Sequence, residues 1–597
     1  MRFTRNWLSQ CGSHARHRDG YGARHPSCAS CCTCLPSPLS LGVPTMGRPR
    51  LRVAICGAGI GGLVAALCLA RYPDIDVTVY EGASRLAEVG AGIGFWPRPR
   101  EILKRLGLEE ELMERSCVEA GEEEDTKFIC RKSDEVEGYH FYTIQARGRQ
   151  LRVHRADFQT VLVARLKKLG RDNVVCSKRL ASYTDASSSS GCSSSLLLDS
   201  SSSCIASRPS PSSPNSSTTT YPGASFSDPF PPASSPSSST RSHFVPSLPL
   251  STLDRPDDHP ISLRFEDGTV ATCDVLIGAD GLKSRVRVGM MERMVSEATR
   301  QARAEGERID ASMGEAEVLA SPAGAEAGRA GQKAGQTDAD ALAAAAHPVW
   351  SGFAAYRVLI SADKLRERAP EHSLLSNPML YFGKDACIVG YSIQNGACLN
   401  VIFFTFDPAQ EHGVHPGEWM RKAAKAEFAG AFEGWEPEVQ AMLDCVDGAL
   451  RWAVHTTKPP GLPTFVHGRT ALLGDAAHSM TPFQGSGAGQ AVEDAWLLAH
   501  LLGDPSVTRD TIPQALRVYD AARRPVAQDV QERSRVNGHL LALNYRGIDF
   551  DALQGEAQRA ALIELGEQMQ RDWEWAWSTS TDGMVHDSLE TLRKAVL

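Results

Sequence analysis

The sequence predicts a mixed α/β protein containing a Rossmann-type unit. Three strand–turn–helix junctions, widely spaced along 597 residues, carry this expectation. The first is the apolar run Leu51–Cys56 followed by Gly57-Ala58-Gly59-Ile60-Gly61-Gly62. The second is Asp274–Arg287, with Asp280-Gly281 at its turn. The third is Leu472–Asp494, where an apolar strand ends on Gly474-Asp475 and a turn at Gly485, Gly487 and Gly489 opens a helix toward Trp496.

In the first junction the Gly-x-Gly-x-x-Gly spacing sits in the strand–turn–helix context that a dinucleotide needs. Gly57 permits the tight turn, Gly59 lets backbone approach a pyrophosphate, and Gly62 lets the helix pack on the strand. A second strand, Asp76–Tyr80, ends at Glu81, 19 residues past Gly62, where a carboxylate can take the ribose hydroxyls of an adenosine. This motif alone does not separate FAD from NAD.

In the second junction Asp280 reads either as a strand-end residue that caps the next helix or as part of a ligand site. Ser284 and Arg287 follow on the first helical turn. In the third, a carboxylate and an amide-rich helix N-terminus surround one point, a setting suited to an anion or an electron-rich ring.

Bulk properties bound the function. A hydrophobic content of 42% and a charged content of 22% read as a globular protein. The net charge of −8 argues against nucleic acid or an anionic membrane as partner. No apolar run reaches membrane-spanning length. The 16 Cys are too sparse for a disulfide scaffold, as expected in a reducing, cytoplasmic setting.

Three stretches stand apart. Residues 1–49 hold six Arg, one acid (Asp19) and the crowded cluster Cys28, Cys31, Cys32 and Cys34, whose spacing is poor for a metal. They read as a disordered or non-native leader; a mitochondrial transit peptide is the alternative, opposed by helix-breaking Gly and Pro. Residues 181–250 contain 27 Ser and 10 Pro, the composition of a disordered insertion, here between a strand-like run at Asn173–Cys176 and the hairpin Ile261–Phe265, Asp267-Gly268, Val270–Cys273. Residues 293–346, rich in Ala, Gly and Glu, read as a second, partly helical insertion. Neither insertion is expected to carry chemistry, and no metal site is expected.

Taken together, Gly57–Gly62, Asp280-Gly281 and Gly474-Asp475 resemble the FAD-dependent aromatic-ring monooxygenases of the p-hydroxybenzoate hydroxylase fold. Glu88-Val89-Gly90-Ala91-Gly92-Ile93, His154-Arg155-Ala156-Asp157-Phe158, Gly474–Asp494 and Tyr519–Arg524 are similar to the salicylate hydroxylase-like group. The resemblance implies a Rossmann-type FAD-binding domain interleaved with an antiparallel-sheet substrate domain, with C-terminal helices. The FAD-binding parts are then 50–180, which also begins the substrate region, 259–292 and 456–545. The insertions occupy 181–258 and 293–346, the substrate domain 347–455, and a helical tail 546–597. It also implies that Gly92 and Arg155 contact FAD, that Asp475 binds the ribityl chain, and that the amides of Gly487 and Ala488 face the flavin N1/C2=O edge. Asp280 and Arg287 correspond to the fingerprint linked to both FAD and the reduced nicotinamide. No second Gly-x-Gly-x-x-Gly junction appears, in keeping with transient NAD(P)H binding.

On the substrate side, Ser351–Arg357 and Leu380–Tyr391 resemble strands of the family's substrate sheet. Arg357 is a candidate to hold a carboxylate or touch the flavin, against a solvated strand Arg. Tyr391 is a candidate to orient or deprotonate a phenol, against a half-buried sheet Tyr. His478 is a third catalytic candidate, or serves to orient the Gly-rich loop. Trp96 stacks on flavin or substrate, or belongs to the core. Relatives place a His four residues before this Tyr as the phenol's proton acceptor; here that position is Cys387, a poorer base at neutral pH.

The expected reaction has NAD(P)H reduce FAD and O2 add at flavin C4a, the hydroperoxide then hydroxylating a small phenolic or aromatic carboxylic acid. The alternatives are an FAD monooxygenase of a polyketide or terpenoid pathway, and a flavin-binding protein without turnover.

Overall fold

The computed structural model describes residues 49–86, 92–116, 126–148, 150–185, 260–313, 339–393, 396–545, 548–550 and 552–596. The leader with its Cys cluster, the bulk of the Ser-rich insertion, the Glu88–Ala91 motif and residues 314–338 lie outside them.

A six-stranded sheet runs in the order Val466–His467, Thr470–Leu472, Val275–Gly278, Leu51–Cys56, Ile75–Tyr80 and Val174–Val175. All its pairings are parallel except the first. Its central strands are continuous apolar runs because both faces are covered, as a parallel sheet requires. Helix Ile60–Leu69 packs beside the Gly487–Gly503 helix, and both are buried over nearly their whole length. All three junctions therefore end at the carboxyl edge of one sheet, where α/β proteins build their crevices.

A second, eight-stranded sheet has the order Met420–Ala424, Gly448–Thr457, Pro348–Ser361, Cys398–Phe406, Ala386–Ile393, Met379–Gly383, Thr126–Lys132, Tyr139–Ala146. It is antiparallel apart from the pairing of Met379–Gly383 with Thr126–Lys132. Alternation along Cys398–Phe406 shows its two faces: Leu399, Val401 and Phe403 enter one apolar cluster, Ile402 and Phe404 the other. The first face is covered by helices Ala362–Arg368 and Pro437–Asp444. Helix Gly555–Ser578 contributes Leu562, Leu565, Met569 and Trp573 to the cluster on the second.

The hairpin expected at Ile261–Cys273 is present, with Gly268 at φ +81° in its turn. Leu180–Thr184 adds to it antiparallel, with Thr184 opposite Ser262, so the two ends of the Ser-rich segment are neighbours. Helix Arg285–Met313 begins well before residue 293 and continues past it, so the expected boundary there falls inside one helix. Among the described residues no helix is long and apolar enough to cross a membrane.

Candidate functional site

The first junction forms the turn its spacing requires. Gly57 has φ +105°, and a side chain there would strike the Ala279 carbonyl. At Gly59 a methyl group would meet nothing within 4 Å and would project into open space. That space is a cavity of about 470 Å³, lined by Gly57–Gly61, Glu81, Arg155, Asp280, Asp475 and Gly487-Ala488 among others. Glu81 stands at the end of its strand and accepts from the amides of Ala58 and Ala83, each at 2.8 Å, which fixes its carboxylate against the glycine turn.

Asp280 caps its helix and faces the cavity. Its carboxylate accepts from Ser284 Oγ at 2.5 Å and from the amides of Arg285 and Val286 at 2.7 and 3.2 Å, capping the helix, while the residue also lines the cavity. Burial raises its pKa, against these hydrogen bonds. Arg287 departs from expectation. It is fully buried, gives its guanidinium to the carbonyls of Ala346, Ala476 and Leu282, and does not line the cavity. Burial brings its pKa down to about 10. Its bond to Ala476 ties the second junction to the third.

In the third junction Asp475 is exposed while Gly474 and Ala476 beside it are buried, because its side chain faces the cavity. His478 does not reach either cavity. Its Nε2 lies 2.6 Å from Asp494 Oδ2, its ring packs on Phe465, and its buried Nδ1 has no hydrogen-bond partner among the described residues. This corrects its candidacy as a group facing the substrate: Asp494, sixteen residues on, turns the ring inward. Arg523 bonds Asp494 and Glu493 at 2.8 and 2.9 Å, and Arg98 reaches Glu493 at 3.0 Å, completing a buried ion network under the Gly487–Gly503 helix.

A second cavity of about 280 Å³ lies on the far side of the glycine-rich turn. Ile93, Arg155, Asp475, Gly487 and Ala488 line both cavities and form their common wall. Arg155 opens helix Arg155–Lys168, where a cation opposes the helix dipole. That placement puts its charge at the junction of the two spaces. Gly92 lines the second cavity rather than the first, and a methyl group there would sit 3.3 Å from the Tyr391 hydroxyl.

Trp96, Phe128, Phe404, Phe483 and Trp573 stand in the walls of the second cavity. Arg357 and Tyr391 line it. The Arg357 guanidinium lies 5.6 Å from the Trp452 ring centroid, and among the described residues no carboxylate pairs with it. Burial lowers its pKa, with Tyr391 acting the other way and Arg155 adding to the drop. Cys387 is absent from the lining, and burial pushes its thiol far above the ordinary range, so it supplies no base here. Trp96 is both core and wall: its Nε1 donates to the Gln484 carbonyl at 3.1 Å and it lines the cavity. Trp573, Phe128 and Asp494 escaped sequence reasoning. Only the fold brings the first two to the cavity, and Asp494 resembles any helix acid.

Residues 454–534 match the FAD binding domain family. The chain is 28% identical over 538 residues to salicylate hydroxylase of Pseudomonas putida, covering 89% of this chain and 93% of that protein. It is 27% identical over 573 residues to the FAD-dependent monooxygenase str9 of Strobilurus tenacellus, covering 92% and 99%. Among solved structures, a salicylate hydroxylase substrate complex aligns with a TM-score of 0.60 at 24% identity, over 91% of this chain and 98% of that one.

Proposed function

We propose that this chain, an FAD-dependent monooxygenase of the aromatic hydroxylase family, uses NAD(P)H and O2 to hydroxylate a small phenolic or aromatic carboxylic acid of the salicylate kind. The observation that carries the proposal is the common wall. A cavity built for a dinucleotide and an aromatic cavity meet at Arg155, Asp475, Gly487 and Ala488.

The residues present fit FAD. Gly59 leaves room for a pyrophosphate, Glu81 and Asp280 stand along the cavity, and Asp475 offers its carboxylate to a ribityl chain. When bound, FAD supplies the redox chemistry, accepting electrons from NAD(P)H and activating O2. The amides that open the Gly487–Gly503 helix would stabilise negative charge on the reduced ring. The aromatic walls hold a flat ring and keep water from the reacting atoms.

Within the second cavity Arg357 is the group to bind a carboxylate. A desolvated guanidinium with no carboxylate beside it among the described residues is costly until an anion arrives. Tyr391 is the group to orient the substrate hydroxyl or take its proton. For an o-hydroxybenzoate, hydroxylation at the carboxyl-bearing carbon releases CO2 and yields a catechol, while one oxygen atom of O2 leaves as water. The identity to the FAD-dependent monooxygenase str9 of Strobilurus tenacellus, nearly as high as that to salicylate hydroxylase, leaves a larger phenol as the second reading.

Stopped-flow absorbance with oxygen uptake tests both. Salicylate that accelerates NAD(P)H-driven bleaching of FAD and gives catechol supports the first. Stimulation by larger phenols alone supports the second, and no stimulation by any aromatic acid or phenol overturns both.

A further inference from the structure

Resting on that reading, we propose that Trp573, delivered by the C-terminal helix Gly555–Ser578, sets the length of ring system the substrate cavity accepts. The residue lies in the C-terminal tail, yet it is 4% exposed and lines the second cavity. Its ring centroid is 5.6 Å from that of Trp96 and 5.3 Å from that of Phe128, closing one end of the space.

Three anchors make this wall rigid. At the sheet edge, the Gln570 side chain exchanges two hydrogen bonds with the Gln145 backbone, at 2.8 and 2.9 Å, as a further strand would. Gly566 lies directly on the Tyr142 ring, where any side chain would collide. The third anchor is Gln484, in the flavin-end loop: its Nε2 donates to the Asp572 carbonyl at 3.0 Å, and its own carbonyl accepts Trp96 Nε1. One residue thus positions both tryptophans. The Trp573 indole N–H is taken by the Asn537 side-chain oxygen once that amide is oriented to satisfy its neighbours. The indole is left with an apolar surface toward the cavity and little freedom to turn.

A large, immobilised aromatic wall discriminates by shape, because a ligand that overlaps it must displace a pinned side chain. Single-ring acids fit in front of it, and a second fused ring is excluded. The variants Trp573→Ala and Trp573→Phe, purified with FAD, are compared with the parent protein. Two readouts are taken with salicylate and with 1-hydroxy-2-naphthoate: the dissociation constant from the ligand-induced change in the flavin spectrum, and kcat/KM for NAD(P)H oxidation. The expected result is a shift of the naphthoate-to-salicylate ratio by at least about tenfold in Trp573→Ala and a smaller shift in Trp573→Phe, with FAD content unchanged. A ratio that moves less than about twofold in both variants overturns the proposal. Loss of FAD from both also overturns it, in favour of a purely structural helix. A parent protein whose flavin spectrum responds to neither acid would instead bring down the functional reading beneath it.

Discussion

His478 Nε2 and Asp494 Oδ2 lie 2.6 Å apart, both buried, directly beneath the turn that separates the two cavities. The same carboxylate accepts the Gly474 amide at 2.9 Å and Arg523 Nε at 2.8 Å. Asp494 therefore shapes the backbone that presents Asp475. Burial alone would raise its pKa, but His478, Arg523 and the Gly474 amide outweigh it and bring it down to about 2. Asp494→Asn removes one of the two buried carboxylates that face Arg523, leaving Glu493 to balance both Arg523 and Arg98. It is expected to cost about 3–5 kcal/mol in denaturant unfolding and to weaken FAD.

The same carboxylate predicts an acid limb of stability. A carboxyl whose folded pKa lies below its unfolded value of about 3.9 contributes stability that is complete above that value. The contribution is lost as pH falls from about 4 toward about 2. Urea midpoints measured across that window should fall for the parent protein and fall less for Asp494→Asn. Equal slopes would exclude Asp494 as the titrating group.

Two glycines three residues apart in one motif are expected to behave differently. Gly59→Ala adds a methyl group to open cavity, so the apoprotein should keep its melting temperature while FAD affinity falls by more than tenfold. Gly62→Ala would put a methyl group against the Gly57 carbonyl, so both stability and affinity should fall. Apoprotein melting and flavin titration separate the two outcomes.

Much of the flavin end was legible because its signals are local. Glycine spacing, the acid after the second strand and the Gly474-Asp475 step need only neighbouring residues to be read. Side-chain destination was not legible. Arg287 follows Asp280 in sequence, yet buried carbonyls claim it. His478 sits beside the Gly-rich loop, yet Asp494 draws it inward. The aromatic wall joins Phe128 to Trp573, and no local pattern links positions that far apart. The flanks of the Ser-rich stretch pair at Thr184 and Ser262. Replacing residues 186–259 with a short turn should leave FAD affinity within about twofold.

Cys387 and Tyr391 share a strand face but not a role. Cys387 is sealed in the core with its thiol held protonated by burial, and Tyr391 lines the cavity. Cys387→Ala should change kcat by less than about threefold and leave its pH profile in place. Tyr391→Phe should lower kcat by about 10²-fold with a phenolic substrate, the usual scale for losing a proton-transfer group. A pH profile altered by Cys387→Ala would reverse the assignment.

Arg357 offers the sharpest test of substrate class. Its guanidinium is desolvated, rests near Trp452 and has the cavity in front of it. If it holds a carboxylate, Arg357→Gln should raise KM for aromatic acids by about 10–100-fold, the worth of a charged hydrogen bond of about 1.5–3 kcal/mol. The same change should leave KM for a carboxyl-free phenol such as resorcinol nearly unaltered. Arg357→Lys keeps the charge but loses the planar fork, so it should recover only part of the affinity. FAD titration on each variant separates this contact from a role toward the cofactor, since flavin affinity should not move. Equal losses with acids and with neutral phenols would show that Arg357 acts on the flavin or on the sheet, and the carboxylate assignment would fall.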